Sequence, residues 1–206
     1  NSAFVDDDGQ RYLFYHQRFN KGSEKHELRV RQQFLNEDNW PVDAVYEYQG
    51  ESIGHYNESQ VTGTYEVVNH GTASDGNMIE TTYLRLKEDG TVQGTLSGTW
   101  KKTTGNGKNY DYLTIQSGGK TYKGFFYEQY SENWQNGPVM TFSLVGSDNT
   151  CIWGSKTDES NLKDYGYVAG TEEKLVGNGW WQDPPISKAV EKTGDFTYRF
   201  HVRMDE

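Results

Sequence analysis

Acid–base and metal chemistry each need a few side chains at defined spacing, so the carboxylates, imidazoles and indoles of this chain come first. Asp and Glu together number 30, enough to create adjacent pairs by chance. A pair flanking a scissile bond would act as acid and base. The run Asp6-Asp7-Asp8-Gly9 lacks the alternate spacing and distal Glu of a calcium loop and reads as a solvated loop. Glu37-Asp38, in NEDNWP, reads as a turn former. His16 lies in YLFYHQRF, where an imidazole among aromatic rings needs a hydrogen-bond partner or a metal. A satisfied histidine and a metal ligand both remain open there. His26, His55, His70 and His201 are scattered without metal-ligand spacing. A serine nucleophile elbow, a P-loop and a dinucleotide fingerprint are all absent. Trp134, Trp180 and Trp181 offer flat rings for stacking on a sugar, with core or hairpin packing as the other reading of each.

The elements that would position these groups are strands. Residues 12–19 have strand length, and residues 26–35 (HELRVRQQFL) alternate, setting Leu28, Val30 and Phe34 against Arg29 and Arg31. Residues 42–48 make a further short strand, and 51–59 is a polar linker. From residue 60 the texture becomes hairpins: 81–86 with 91–100 about a DG turn, 112–116 with 121–130 about Gly118-Gly119, and 139–145 with 151–154. Gly63, Gly94 and Gly98 each open a G-T-x motif that reads as a strand start. The expected fold is all-β with an antiparallel barrel or sandwich, and only residues 186–192 suggest a helical turn or two.

Composition narrows the function classes. The hydrophobic fraction of the 206 residues is only 33%, but 6 Trp, 15 Tyr and 9 Phe imply a ring-rich core where disorder would leave few aromatics. Lys and Arg number 20, for a net charge of −10, with no basic stripe; nucleic acid is an improbable partner. A single cysteine, Cys151, excludes an internal disulfide. No apolar run reaches the ~18 residues of a membrane helix. The chain opens Asn-Ser-Ala with no signal-peptide pattern, so any leader is expected to have been upstream.

Residues 11–51, RYLFYHQRFNKGSEKHELRVRQQFLNEDNWPVDAVYEYQGE, resemble the end of the catalytic domain in family-43 glycoside hydrolases. Within that family they are similar to the arabinan endo-1,5-α-L-arabinosidases that carry an extra C-terminal β-barrel. The resemblance continues more loosely through residues 61–71 (VTGTYEVVNHG) and 140–156 (MTFSLVGSDNTCIWGSK), and is absent from 158–206. It implies a five-bladed β-propeller followed by a lipocalin-like barrel. It also implies inverting hydrolysis by carboxylates on the first four blades, at the wider separation of ~6.5–9.5 Å. A calcium ion on the propeller axis, held by a histidine of the last blade and by waters, is implied as well; His16 is the matching position.

A propeller blade takes on the order of 40–50 residues. Residues 1–50 therefore supply one blade at most, and the catalytic carboxylates lie outside this chain. The expected organisation is a last blade at 1–50, a linker at 51–59, a barrel at 60–157, and a C-terminal extension packed on the barrel at 158–206. A lone blade has bare faces and open edges, so the expected partner is the N-terminal propeller fragment of the same enzyme, with arabinan as substrate. The alternative is a non-catalytic carbohydrate-binding or scaffold barrel. A polysaccharide substrate and acidic charge suggest a secreted or periplasmic, bacterial-type protein.

Overall fold

The computed structural model describes residues 1–19, 25–71, 79–105, 107–131 and 137–158, all within one compact unit, Asn1–Glu159. Every strand pairing is antiparallel. A four-stranded meander comes first: β1 (Ser2–Val5), β2 (Arg11–Phe19), β3 (Lys25–Leu35) and β4 (Pro41–Asp43), in that spatial order. The sequence did not signal β1, an edge strand exposed along its whole length. Asp6, in the turn that follows, accepts the backbone N–H groups of Asp8 at 3.1 Å and Gln10 at 2.8 Å, so the acidic run builds a turn.

A short helix, α1 (Glu58–Val61), leads into eight more strands: β5 (Gly63–Gly71), β6 (Thr82–Leu86), β7 (Thr91–Gly94), β8 (Gly98–Thr104), β9 (Asp111–Ser117), β10 (Lys120–Tyr130), β11 (Pro138–Gly146) and β12 (Cys151–Thr157). They close as a barrel in the order β10-β11-β12-β5-β6-β7-β8-β9. The strand expected over 91–100 is broken in two. A Cβ on Gly94 would lie 2.2 Å from the Tyr83 carbonyl oxygen, and one on Gly98 would lie 2.0 Å from that of Gln116. Both are close backbone crossings that only glycine admits. Gly63 and Gly98 do open strands, whereas Gly94 closes β7.

The barrel is filled by its own side chains. Tyr65, Leu84, Leu86, Leu113, Ile115, Phe126, Phe142, Leu144 and Ile152 are all buried inside it. Phe142 lies against Gly154, where an added Cβ would come within 2.3 Å of the ring. The stretch read as a linker contributes too, through Tyr56, which joins this core with Val61; the Tyr65 hydroxyl donates to the Val61 carbonyl at 2.6 Å. Burial drives the Tyr65 phenol far above its ordinary pKa.

A second core lies between sheet and barrel: Phe34, Val42 and Ala44 from the sheet side meet Tyr110, Phe125 and Tyr127 from the barrel wall. Phe34 stacks on Phe125 with centroids 4.0 Å apart and meets Tyr110 edge-on at 5.0 Å. Alternation along β10 sends Tyr122 and Phe126 inward and Phe125 and Tyr127 toward the sheet, so this strand is buried on both faces.

Candidate functional site

Two features could carry function: the seam that fixes the sheet to the barrel, and the part of the sheet that the barrel leaves bare. The seam is a set of polar side chains that complete backbone hydrogen bonds across it. The Tyr110 hydroxyl donates to the Leu35 carbonyl at 2.9 Å and receives the Leu35 N–H at 3.3 Å. The buried Gln129 amide does the same for Tyr46, donating through Nε2 at 3.1 Å and accepting through Oε1 at 3.2 Å. The Tyr127 hydroxyl donates to Gln32 Oε1 at 3.2 Å and the Glu51 carbonyl at 3.1 Å. Arg31 donates through Nη1 to the carbonyls of Ala44, at 2.8 Å, and Val45, and its guanidinium lies 4.6 Å over the Trp153 ring of β12. Buried polar groups satisfied this way set one docking geometry, because any slip would strand them without partners.

Asp111, at the start of β9, is fully buried. Its carboxylate accepts the Tyr56 N–H at 2.8 Å, the Thr104 hydroxyl at 3.0 Å and Lys102 Nζ at 3.3 Å, with His55 Nδ1 at 2.9 Å. Burial pushes the carboxyl upward in pKa, but these donors outweigh it, and the group is held below its ordinary value. The half-exposed His55 ring and the Tyr56 backbone are thereby pinned to the barrel. His70 packs edge-on to Trp153 at 4.3 Å; burial first, and the Arg31 charge second, lower its pKa.

Register decides what the bare part of the sheet presents. Directly opposed residues share a face, so His16↔Leu28, Phe14↔Val30 and Tyr12↔Gln32 place His16, Phe14, Leu28 and Val30 on the same face as Phe34. The barrel covers the Phe34 end only. At the other end of β3 Leu28 is 74% exposed, and on the edge strand β1 Phe4, opposite Tyr12, is 53% exposed. His16 sits at the Leu28 end of that face, directly opposite it. Its neighbours are apolar, but the side chain is exposed and so needs no buried partner. Its ring lies 5.1 Å from that of His26, tilted by 41°. Among the described residues no group of three His, Cys, Asp or Glu could hold a metal ion. Two imidazoles suit calcium poorly, since calcium takes oxygen ligands, so these residues do not by themselves fit it.

Trp134, Trp180 and Trp181 lie outside the described residues, as does the 186–192 helical turn and all but the first residue of the 158–206 extension. Sequence reasoning missed Asp111 and Arg31 as organising residues and did not single out Trp40, whose ring is exposed. The signal for Asp111 was faint: an acid at the head of a strand whose Leu113 and Ile115 alternate with Thr114 and Gln116, which puts it on their inward face. An open groove of about 420 Å³ on the barrel, lined by Thr62, Gly63, Leu86, Lys87, Glu88 and Asp89 among others, has no aromatic ring in its lining.

Residues 45–154 match the GH43_C family, described as a C-terminal lipocalin-like domain. Over 157 residues the chain is 39% identical to the extracellular endo-α-(1→5)-L-arabinanase 2 of Bacillus subtilis, covering 76% of this chain and 32% of that protein. Over 165 residues it is 33% identical to the extracellular endo-α-(1→5)-L-arabinanase of Thermotoga petrophila, covering 77% of this chain and 33% of the relative. The crystal structure of the family-43 glycoside hydrolase YxiA from Bacillus licheniformis superposes with a TM-score of 0.67 at 36% identity, covering 77% of this chain and 35% of the other. That of the Thermotoga petrophila endo-1,5-α-L-arabinanase gives 0.66 at 30% identity, with the same coverage. The chain thus spans about a third of the length of these relatives. With a closed eight-stranded barrel and a matched segment that takes in most of it, this chain belongs to the GH43_C family of C-terminal lipocalin-like domains.

Proposed function

We propose that this chain is the C-terminal part of a glycoside hydrolase that cleaves α-1,5-linked L-arabinan outside the cell. In this reading β1–β4 are the last blade of a catalytic propeller, and the barrel is an accessory domain bolted to it. Hydrolysis is inverting: a general acid protonates the leaving glycosidic oxygen while a base activates water on the opposite face. Both carboxylates belong to the upstream part of the enzyme. The residues of this chain supply position, since the seam holds the blade in one geometry against a rigid barrel. The names of the relatives support the substrate, and a polymer too large to cross a membrane supports an extracellular site. His16 is proposed as one donor to a calcium whose other ligands are waters and upstream oxygens.

The observation that carries this reading is the half-covered sheet. One face is docked at Phe34 and bare at Leu28, and the edge strand leaves Phe4 exposed; a further propeller blade would pack on these uncovered apolar side chains. The test is complementation. The 206-residue chain and the upstream propeller are to be produced separately and mixed on linear arabinan. Reducing ends should appear only with both present, and the amides of β3 should gain exchange protection on mixing. If the two never associate, and the chain alone binds arabinan, the non-catalytic module replaces this reading.

A further inference from the structure

We propose that Trp40 is a saccharide-stacking platform, taking one ring of a neutral polysaccharide at the rim of the seam. Of the three described tryptophans, Trp100 is inside the barrel, its Nε1 donating to the Lys87 carbonyl at 2.8 Å, and Trp153 lies beneath Arg31. Trp40 alone among them is exposed, at 61%, in the turn between β3 and β4.

That turn is fixed on every side. Asn36, itself 4% exposed, accepts the N–H groups of Asp38 at 3.0 Å and Trp40 at 2.9 Å through Oδ1. Its own N–H donates to the Trp40 carbonyl at 2.9 Å. Glu37 accepts the hydroxyls of Thr103 on β8, at 2.9 Å, and Thr114 on β9, at 2.8 Å. Asp38 pairs with Lys123 of β10 at 2.6 Å. Three barrel strands thus hold a turn whose one large apolar ring faces solvent.

A sugar ring has an apolar C–H face and a rim of hydroxyls, so it is recognised by a flat ring beside hydrogen-bond donors and acceptors. The indole supplies the first. The exposed Asp38 carboxylate and the Lys123 ammonium supply the acceptor and the donor, and their opposite charges favour a neutral ligand. Because the turn is already ordered, binding immobilises little more of the protein. The platform does not depend on the proposed catalytic role; only the choice of arabinan as first probe rests on that reading.

The test is isothermal titration calorimetry of the 206-residue chain with linear arabino-, xylo- and galacto-oligosaccharides. At least one series should bind saturably. Trp40→Ala should weaken that binding by about tenfold, as loss of a stacking contact implies, without lowering the melting temperature, and Trp40→Phe should keep most of it. Binding of xylo- or galacto-oligosaccharides alone would uphold the platform while removing the support for arabinan. The proposal is overturned if no series binds, if Trp40→Ala binds as the wild type does, or if Trp40→Ala lowers the melting temperature as loss of a packed indole would.

Discussion

Asp111 shows how one side chain can organise a junction, and its removal should be correspondingly costly. Asp111→Ala would leave the Tyr56 N–H, Lys102 and Thr104 without their buried acceptor. A loss of about 3 kcal/mol in urea unfolding is expected, with Asp111→Asn losing less. Ser143 is the opposite case: its hydroxyl is fully buried and finds no hydrogen-bond partner among the described residues. Ser143→Ala should therefore be neutral or stabilising, by up to about 1 kcal/mol in the same assay. His70 makes stability pH-dependent. Its folded pKa is lowered below the ordinary value, so the unfolded chain binds the proton more readily. Stability is whole above the unfolded pKa, about 6.5, and falls as pH drops toward the folded value. Melting temperatures measured from pH 7.5 to 5.5 should decline, and His70→Phe should flatten that slope.

At the scale of elements, the two cores make different demands. Phe125→Ala deletes the ring stacked on Phe34 in the seam, and Phe142→Ala one inside the barrel. Each should cost about 3–5 kcal/mol, but hydrogen exchange should separate them. Phe125→Ala is expected to release β2 and β3 before the barrel strands, whereas Phe142→Ala releases barrel amides first. How much of this was legible beforehand follows the same division. Alternation in β3 and the DG and GG turns announced the hairpins, because period-two patterning and turn chemistry are local. The break at Gly94–Gly98 was not legible, since it comes from backbone crossing with Tyr83 and Gln116 on neighbouring strands. Nor was β4 readable at its observed length, because the chain leaves the ladder where Arg31 and Gln129 capture the backbone carbonyls of Ala44, Val45 and Tyr46. For the site, the aromatic strand drew attention to His16, but burial is set by what packs on a strand, and its own letters do not encode that.

For the whole molecule, the metal prediction is the most direct. In the proposed reading the other calcium ligands are waters and upstream oxygens, so the 206-residue chain alone should bind calcium no more tightly than about millimolar by calorimetry. Sub-micromolar binding would mean that the ligands are all within this chain. The double burial of β10 bears on a different question, that of inheritance. Domains that recombine freely among unrelated proteins have closed surfaces, so a cut at either end exposes little. This barrel does not. Severed before Glu58, it would display Phe125, Tyr127 and Tyr110 as a continuous apolar stripe and strand the Gln129 amide that Tyr46 now occupies. Such a fragment should self-associate on size exclusion unless Phe125 and Tyr127 are made polar. A barrel built this way should keep its solubility in a fusion or a rearranged chain only when the sheet it clasps travels with it.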